Sequence, residues 1–144
     1  MVYHYLEDVA IADVAYEVHA ASLPALFREA AEALMKVQVE NLGEVRRGRV
    51  VKIALSDDKL DMLLHAFLQE LIYYKDAQRL LLLVERVEIE EDPEGGWELA
   101  AEAAGEEIDP TRHQLSADVK AVTMHRFEVA QTPEGWKATV VLDI

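Results

Sequence analysis

The hydrophobic pattern of the chain changes period several times, and each change marks an element. Val14, Tyr16, Val18 and Ala20 alternate with Ala15, Glu17 and His19, the period-two signature of a half-buried strand ending near Ala20. Ser22 is then a helix N-cap and Pro24 suits the first turn. Leu23, Leu26, Phe27, Ala30 and Leu34 recur at spacings of three and four and predict an amphipathic helix from Leu23 to Lys36. Asn41 to Gly48, with two glycines and several charges, reads as a connector. Val51, Ile53 and Leu55 alternate with Lys52 and Ala54 as a second strand. Ser56 or Asp57 is the expected cap of the next helix, with Asp57 and Asp58 complementing its N-terminal dipole. Leu60, Leu63, Leu64, Phe67, Leu68, Leu71 and Ile72 form one apolar face from Asp58 to Tyr74.

Beyond Ala77 the pattern is of strands and turns. Leu80 to Ile89 predicts a strand, Asp92 to Gly96 a turn and Trp97 to Ala103 its hairpin partner. Gly105 to Gln114 reads as a loop and Ala117 to Val129 as a long strand. Thr132 to Gly135 is a second turn, and Trp136 to Ile144 a final strand. Pro93-Glu94-Gly95-Gly96-Trp97 and Pro133-Glu134-Gly135-Trp136 reuse one turn chemistry without repeating a larger unit. Two helices followed by a run of strands predict a single α+β domain over residues 1–144, with both helices packed on one face of a largely antiparallel sheet.

Composition narrows the function. The chain has 144 residues, 14 Lys plus Arg and 28 Asp plus Glu, for a net charge of −14. With 51% apolar residues it has enough side chain to bury, which separates it from disordered acidic segments. The absence of cysteine excludes disulfides, zinc-thiolate sites, iron–sulfur clusters and a thiol nucleophile. Only Arg46, Arg47 and Arg49 sit together as a basic group, so direct, tight nucleic-acid binding is not expected. No apolar run reaches the roughly 18 residues of a membrane span, and Met1 to Ala10 carries Glu7 and Asp8 rather than a basic leader. No membrane partner and a cytoplasmic location are the expectation.

Candidate chemistry is confined to carboxylates. The histidines, His4, His19, His65, His113 and His125, show no i, i+4 pair, and GxGxxG, GxxxxGK[ST] and GxSxG motifs are absent. The chain ends on a distinctive group. In the last strand Trp136, Ala138, Val140, Leu142 and Ile144 point one way, so Asp143 points the other way, beside the free α-carboxylate of Ile144. Such a pair is either a solvated terminus or part of a hard-cation site that takes Ca²⁺, Mg²⁺ or Mn²⁺ and needs a further carboxylate.

Several motifs together carry a family resemblance over nearly the whole chain. They are Ala12-Asp13-Val14 ahead of Leu26-Phe27, Leu63-Leu64-His65-Ala66-Phe67-Leu68-Gln69-Glu70-Leu71-Ile72-Tyr73, Gly105-Glu106 with Arg112-His113, Val119-Lys120-Ala121-Val122-Thr123-Met124-His125, and the terminal Asp143-Ile144. The chain resembles the archease family, small acidic proteins associated with the RtcB-type RNA ligase that seals tRNA halves after splicing. The resemblance implies an accessory protein rather than an enzyme, which helps the ligase accept guanylate on its active-site histidine and turn over repeatedly. It also implies a divalent metal, Ca²⁺ first with Mg²⁺ or Mn²⁺ as alternatives, held by Asp13, Asp143 and the backbone carboxylate of Ile144. Lys120 and His125 are the further residues that the resemblance singles out for ligase activation. Arg112 and His113 are candidates for contact with the partner. A chaperone-like binding module and a metal-dependent phosphohydrolase are the alternatives. One departure stands out: the family's usual His-Thr before Ala-Asp is replaced by Ala10 and Ile11.

Overall fold

The structure, a computed structural model, describes residues 2–6 and 13–144. Its elements run β1 (Val2–Leu6), β2 (Asp13–Ala20), α1 (Leu23–Gln38), a 3₁₀ turn at Leu42–Glu44, β3 (Arg49–Asp57), α2 (Leu60–Gln78), β4 (Leu80–Glu91), β5 (Trp97–Glu107), β6 (Ala121–Val122), β7 (Glu128–Thr132) and β8 (Gly135–Asp143). Every strand pairing is antiparallel. The α+β class agrees with the periodicities, but the strands divide between two sheets. One runs β1-β2-β8-β6, with β7 also on β8, and the other runs β3-β5-β4.

Both helices touch both sheets: α1 meets β4 on one side and β1, β2 and β8 on the other, while α2 meets β3, β4 and β5 as well as β6 and β7. This explains why the buried surface of α1 is wider than a single stripe. Leu26, Phe27, Leu34 and Met35 are buried together with Ala30, Ala31 and Ala33, whose small side chains let neighbouring backbone approach. The approach is used. Tyr16 on β2 donates its hydroxyl to the Ala30 carbonyl at 2.9 Å, and Tyr5 on β1 donates to that of Ala33 at 3.0 Å. Burial pushes the Tyr16 phenol well above its ordinary value. Phe27 and Phe67 meet with ring centroids 6.0 Å apart and join the two helices within one apolar cluster that also takes Val18, Ile53, Leu82, Ala103, Val140 and Leu142 from the sheets.

Local chemistry accounts for most boundaries. Ser22 caps α1 by accepting from the Ala25 amide at 3.3 Å. The expected cap of α2 is corrected: Lys59 occupies that position, and Asp57 instead accepts from the Lys59 amide at 2.9 Å, turning the chain just before the helix. The strand β1 has no counterpart among the elements predicted from sequence. The largest correction concerns Ala117 to Val129, which is not one strand. Only Ala121–Val122 and Glu128–Thr132 pair with β8, separated by a turn in which Arg126 has φ 54°. No helix among the described residues is long and apolar enough to cross a membrane.

Candidate functional site

The register of β2 on β8 gives the chain terminus a second aspartate as its neighbour. Asp13, the first residue of β2, lies directly opposite Asp143, the last of β8. Directly opposed residues of an antiparallel pair project from the same face with Cβ atoms about 4.5–5.5 Å apart, and like charges so placed are destabilising. Both aspartates are half-buried. The α-carboxylate of Ile144 follows immediately, and the Ile144 side chain packs against the apolar cluster. Asp143 also faces β6 on its other side: Ala121 is its partner there, and the Lys120 amide donates to the Asp143 carbonyl at 2.8 Å. Residues 13, 143 and 144 and the backbone of Lys120 therefore share one end of the larger sheet. Lys120 itself is exposed.

The donor set is oxygen-only, two aspartates and a terminal carboxylate, the chemistry of a hard divalent cation. Among the described residues no group of three or more His, Asp or Glu side chains is placed to hold a metal ion. Ala10 and Ile11 lie outside the described residues. His125, expected on a strand, is in the turn after β6, exposed, with its amide donating to Thr123 Oγ1 at 3.2 Å. The histidines that do meet are His4 and His19, stacked across β1 and β2 with Glu17 Oε1 at 2.6 Å from His19 Nε2; helical spacing does not reveal such a pair.

This site sits at one end of a chain whose relatives are well defined. The model of the Archease protein family (MTH1598/TM1083) matches residues 3–144. The chain belongs to the archease family. It is 33% identical to the protein archease of Methanosarcina acetivorans over 99% of this chain and 95% of that protein. It is 35% identical to that of Pyrococcus abyssi over 92% of this chain and 93% of that one. The solution structure of Methanobacterium thermoautotrophicum protein 1598 superposes with a TM-score of 0.84 at 27% identity, covering 99% and 98% of the two chains. The crystal structure of a Thermotoga maritima archease, described as a possible chaperone, shares the fold with a TM-score of 0.61 at 15% identity.

Two of the archease motifs touch one another, which the sequence could not show. Helix α2 holds the Val119–Val122 segment by its backbone. Gln69 Oε1 accepts from the Val122 amide at 2.5 Å, His65 Nε2 lies 2.9 Å from the Val122 carbonyl oxygen, and Lys75 Nζ donates to the Val119 carbonyl at 2.7 Å. Gln69 and His65 are one helical turn apart, so a single face of α2 grips both polar groups of one residue. This clasp fixes the strip that carries Lys120 against β8. Replacing Gln69 by leucine leaves the part-buried Val122 amide without its acceptor and is expected to cost about 1–3 kcal/mol. Chemical denaturation measures that loss, and hydrogen exchange at Val122 should accelerate more than exchange in β2.

A third motif is a single charge cluster. Glu106, near the end of β5, accepts from the Arg46 amide at 2.5 Å, from Arg112 and, at 3.2 Å, from His113 Nε2. The Asp109 amide donates to His113 Nδ1 at 2.9 Å, which makes Nδ1 an acceptor and places the ring proton on Nε2, toward Glu106. Burial works to raise the Glu106 pKa, but the three donors outweigh it and hold the carboxyl at about 2. His113 is buried, with 3% exposure, and Arg112 is committed to Glu106 and to the Glu44 carbonyl. Both residues brace the loop after β5. The signal was in the sequence as an acid followed six and seven residues later by Arg and His.

Proposed function

We propose that this archease is a non-catalytic, metal-binding activator of an RtcB-type RNA ligase, promoting ligase guanylylation and repeated turnover in tRNA splicing or RNA repair. The observation that carries the reading is the direct opposition of Asp13 and Asp143 beside the terminal carboxylate of Ile144. Three negative charges at one sheet end call for a cation, and a divalent ion with oxygen preference fits these donors. Asp13, Asp143 and Ile144 would hold it, with Ca²⁺ the first choice and Mg²⁺ or Mn²⁺ able to replace it. When bound, the ion supplies positive charge that neutralises the carboxylates and offers open positions to phosphate oxygens. Lys120, exposed and tied through its backbone to Asp143, adds a second cation on the same edge; His125 lies in the turn that follows. A cytoplasmic location accords with this role. The net charge of −14 favours encounter with a basic protein surface over nucleic acid.

The protein alone is expected to turn over no RNA, and its addition is expected to raise the rate at which the ligase takes up guanylate. Asp143→Asn and Asp13→Asn should each lose most of that stimulation, and unchanged stimulation in both would sink the metal-site reading. A tag appended after Ile144 converts the α-carboxylate to an amide, so calorimetric Ca²⁺ titration should lose its binding isotherm; a tag before Met1 should retain it. The second reading, a chaperone-like binding module, is favoured by the description of the Thermotoga maritima protein as a possible chaperone. It predicts stoichiometric binding to diverse unfolded clients, irrespective of the Asp143 substitution.

A further inference from the structure

The smaller sheet leaves one long edge open. Its outer strands are β3 and β4. The ladder of β4 is interrupted by a bulge between Val84 and Arg86, and α1 packs against that strand. β3 has neither protection: its nine residues, Arg49 to Asp57, pair with β5 in unbroken register, it contains no proline, and no strand among the described residues pairs with its other side. The outer strands of the larger sheet are short by comparison, five residues each in β1 and β7 and two in β6. An open strand edge presents a row of unpaired N–H and C=O groups to any strand of matching pattern. Val50, 56% exposed, adds apolar surface to this one.

The pattern that matches β3 is its own. Run antiparallel to itself about Ile53, the strand sets Arg49 opposite Asp57, Val51 opposite Leu55 and Ile53 opposite itself on one face, with Lys52 opposite Ala54 and Val50 opposite Ser56 on the other. Moving the centre by one residue sets Arg49 against Leu55 in one direction and Asp57 against Val51 in the other, and the charges lose their partners. The outer face beside Ala54 is shaped for a lysine. Ala54 is followed across the sheet by Ala100 and Glu88, and Ser56 by Glu98 and Glu90. These residues line a trough of about 450 Å³, floored by alanine methyls and walled by three carboxylates. Within its own chain Lys52 has Glu102 beside it on β5, a carboxylate that it shares with Arg86, 3.9 Å away. A lysine on an edge strand deters pairing with strands that offer it no counter-charge. A second β3 in this register offers one.

We infer that the free edge of β3 docks a second copy of this chain: two β3 strands pair antiparallel about Ile53, and Lys52 of each copy crosses the methyl of Ala54 in the other to bring its ammonium to the Glu88 and Glu98 wall. The inference is independent of the metal-site reading. Sedimentation of the full chain from micromolar to millimolar concentration tests it at physiological ionic strength, where the repulsion between two copies of net charge −14 is screened beyond about 8 Å while the paired charges lie closer. A reversible equilibrium between monomer and dimer is expected. Hydrogen exchange should slow with concentration at alternate amides of β3, those not bonded to β5, and stay unchanged in β7. Lys52→Glu, at an exposed position, should weaken the dimer about tenfold or more. The register has its own test, because the chain lacks cysteine. An equimolar mixture of Lys52→Cys and Ala54→Cys should form a disulfide between unlike copies faster than either variant does alone, since only residues 52 and 54 face one another, with Cβ atoms about 4.5–5.5 Å apart. A monomer throughout the range, as when β3 takes only a strand of another protein, would overturn the inference. So would a dimer with no slowing in β3, a Lys52→Glu variant that dimerises like the native chain, or a mixture that cross-links no faster than its components.

Discussion

Gly105→Ala is expected to be the most damaging single substitution of a residue outside the apolar cluster. Gly105 lies in β5 between β3 and β4, opposite Arg49 on one side and Leu82 on the other. A Cβ built there lands on the carbonyl oxygen and carbon of Leu81, backbone atoms that cannot rotate away, with Leu82 Cα only 3.1 Å off. Relief requires β4 to shift. Leu80, Leu81 and Leu82, each 1% exposed, would move with it out of a closely packed interior. The expected loss is about 4 kcal/mol or more, in the range that for most domains of this size removes a large share of total stability. Gly43→Ala is the control, because a Cβ there meets no atom within 4 Å. It should leave stability within about 1 kcal/mol of the native value. Urea unfolding of both variants decides the matter: a Gly105→Ala midpoint matching that of Gly43→Ala would show that β4 yields without cost.

That result would also give a physical content to Gly105-Glu106, which stood in the sequence only as part of a resemblance. The elements most legible beforehand were those with a long uniform period. Leu26 to Leu34 and Leu60 to Ile72 mark both helices, because a buried helical face must repeat every three or four residues whatever it packs against. Ala117 to Val129 misled for a related reason. Its apolar residues other than Met124 are buried or half-buried, as in a strand, but Gln69, His65 and Lys75 of α2 bond the Val119 and Val122 backbone where a continuous ladder would have done so. Side-chain partners of that kind leave no periodic trace. The strand β1 leaves no firm period in the sequence, because Tyr3 and Tyr5 alternate with Val2, His4 and Leu6 over only five residues.

The candidate site divides along the same line. That Asp143 points away from the apolar side of the last strand followed from alternation alone. That Asp13 is its partner depends on register between strands at opposite ends of the chain, and one residue of slip would place the two carboxylates on opposite faces. Here the family resemblance named Asp13, which the residues by themselves did not, and the pairing of β2 with β8 sets it opposite Asp143.

Acid should loosen the charge cluster around the half-buried Glu106. The Glu106 carboxyl sits at about 2 rather than its ordinary 4.5, because the Arg46 amide, Arg112 and His113 all donate to its ionised form against the opposing effect of burial. A depressed folded-state pKa means that the unfolded chain binds the proton first. The stabilisation is therefore complete above about pH 4.5 and is lost progressively as pH falls toward 2, with stability rising with pH across that window. Glu106→Gln keeps the shape but removes the charge and leaves two of the donors facing a weaker acceptor. At neutral pH it should lose about 1.5–3 kcal/mol, the worth of hydrogen bonds to a charged group. Near pH 2 the native chain and the variant should converge, since the native carboxyl is by then taking up its proton. Some acid sensitivity must persist in the variant, because Asp109 is also held low by its bonds from Thr111, and Glu17 by its bond with His19. Urea denaturation of both proteins at intervals from pH 7 to pH 2 measures the difference directly, and the remaining carboxylates titrate alike in the two and cancel. A gap between them that stayed constant down to pH 2 would mean that the Arg46, Arg112 and His113 bonds do not discriminate the charged form, and that Glu106 braces the loop after β5 by shape alone.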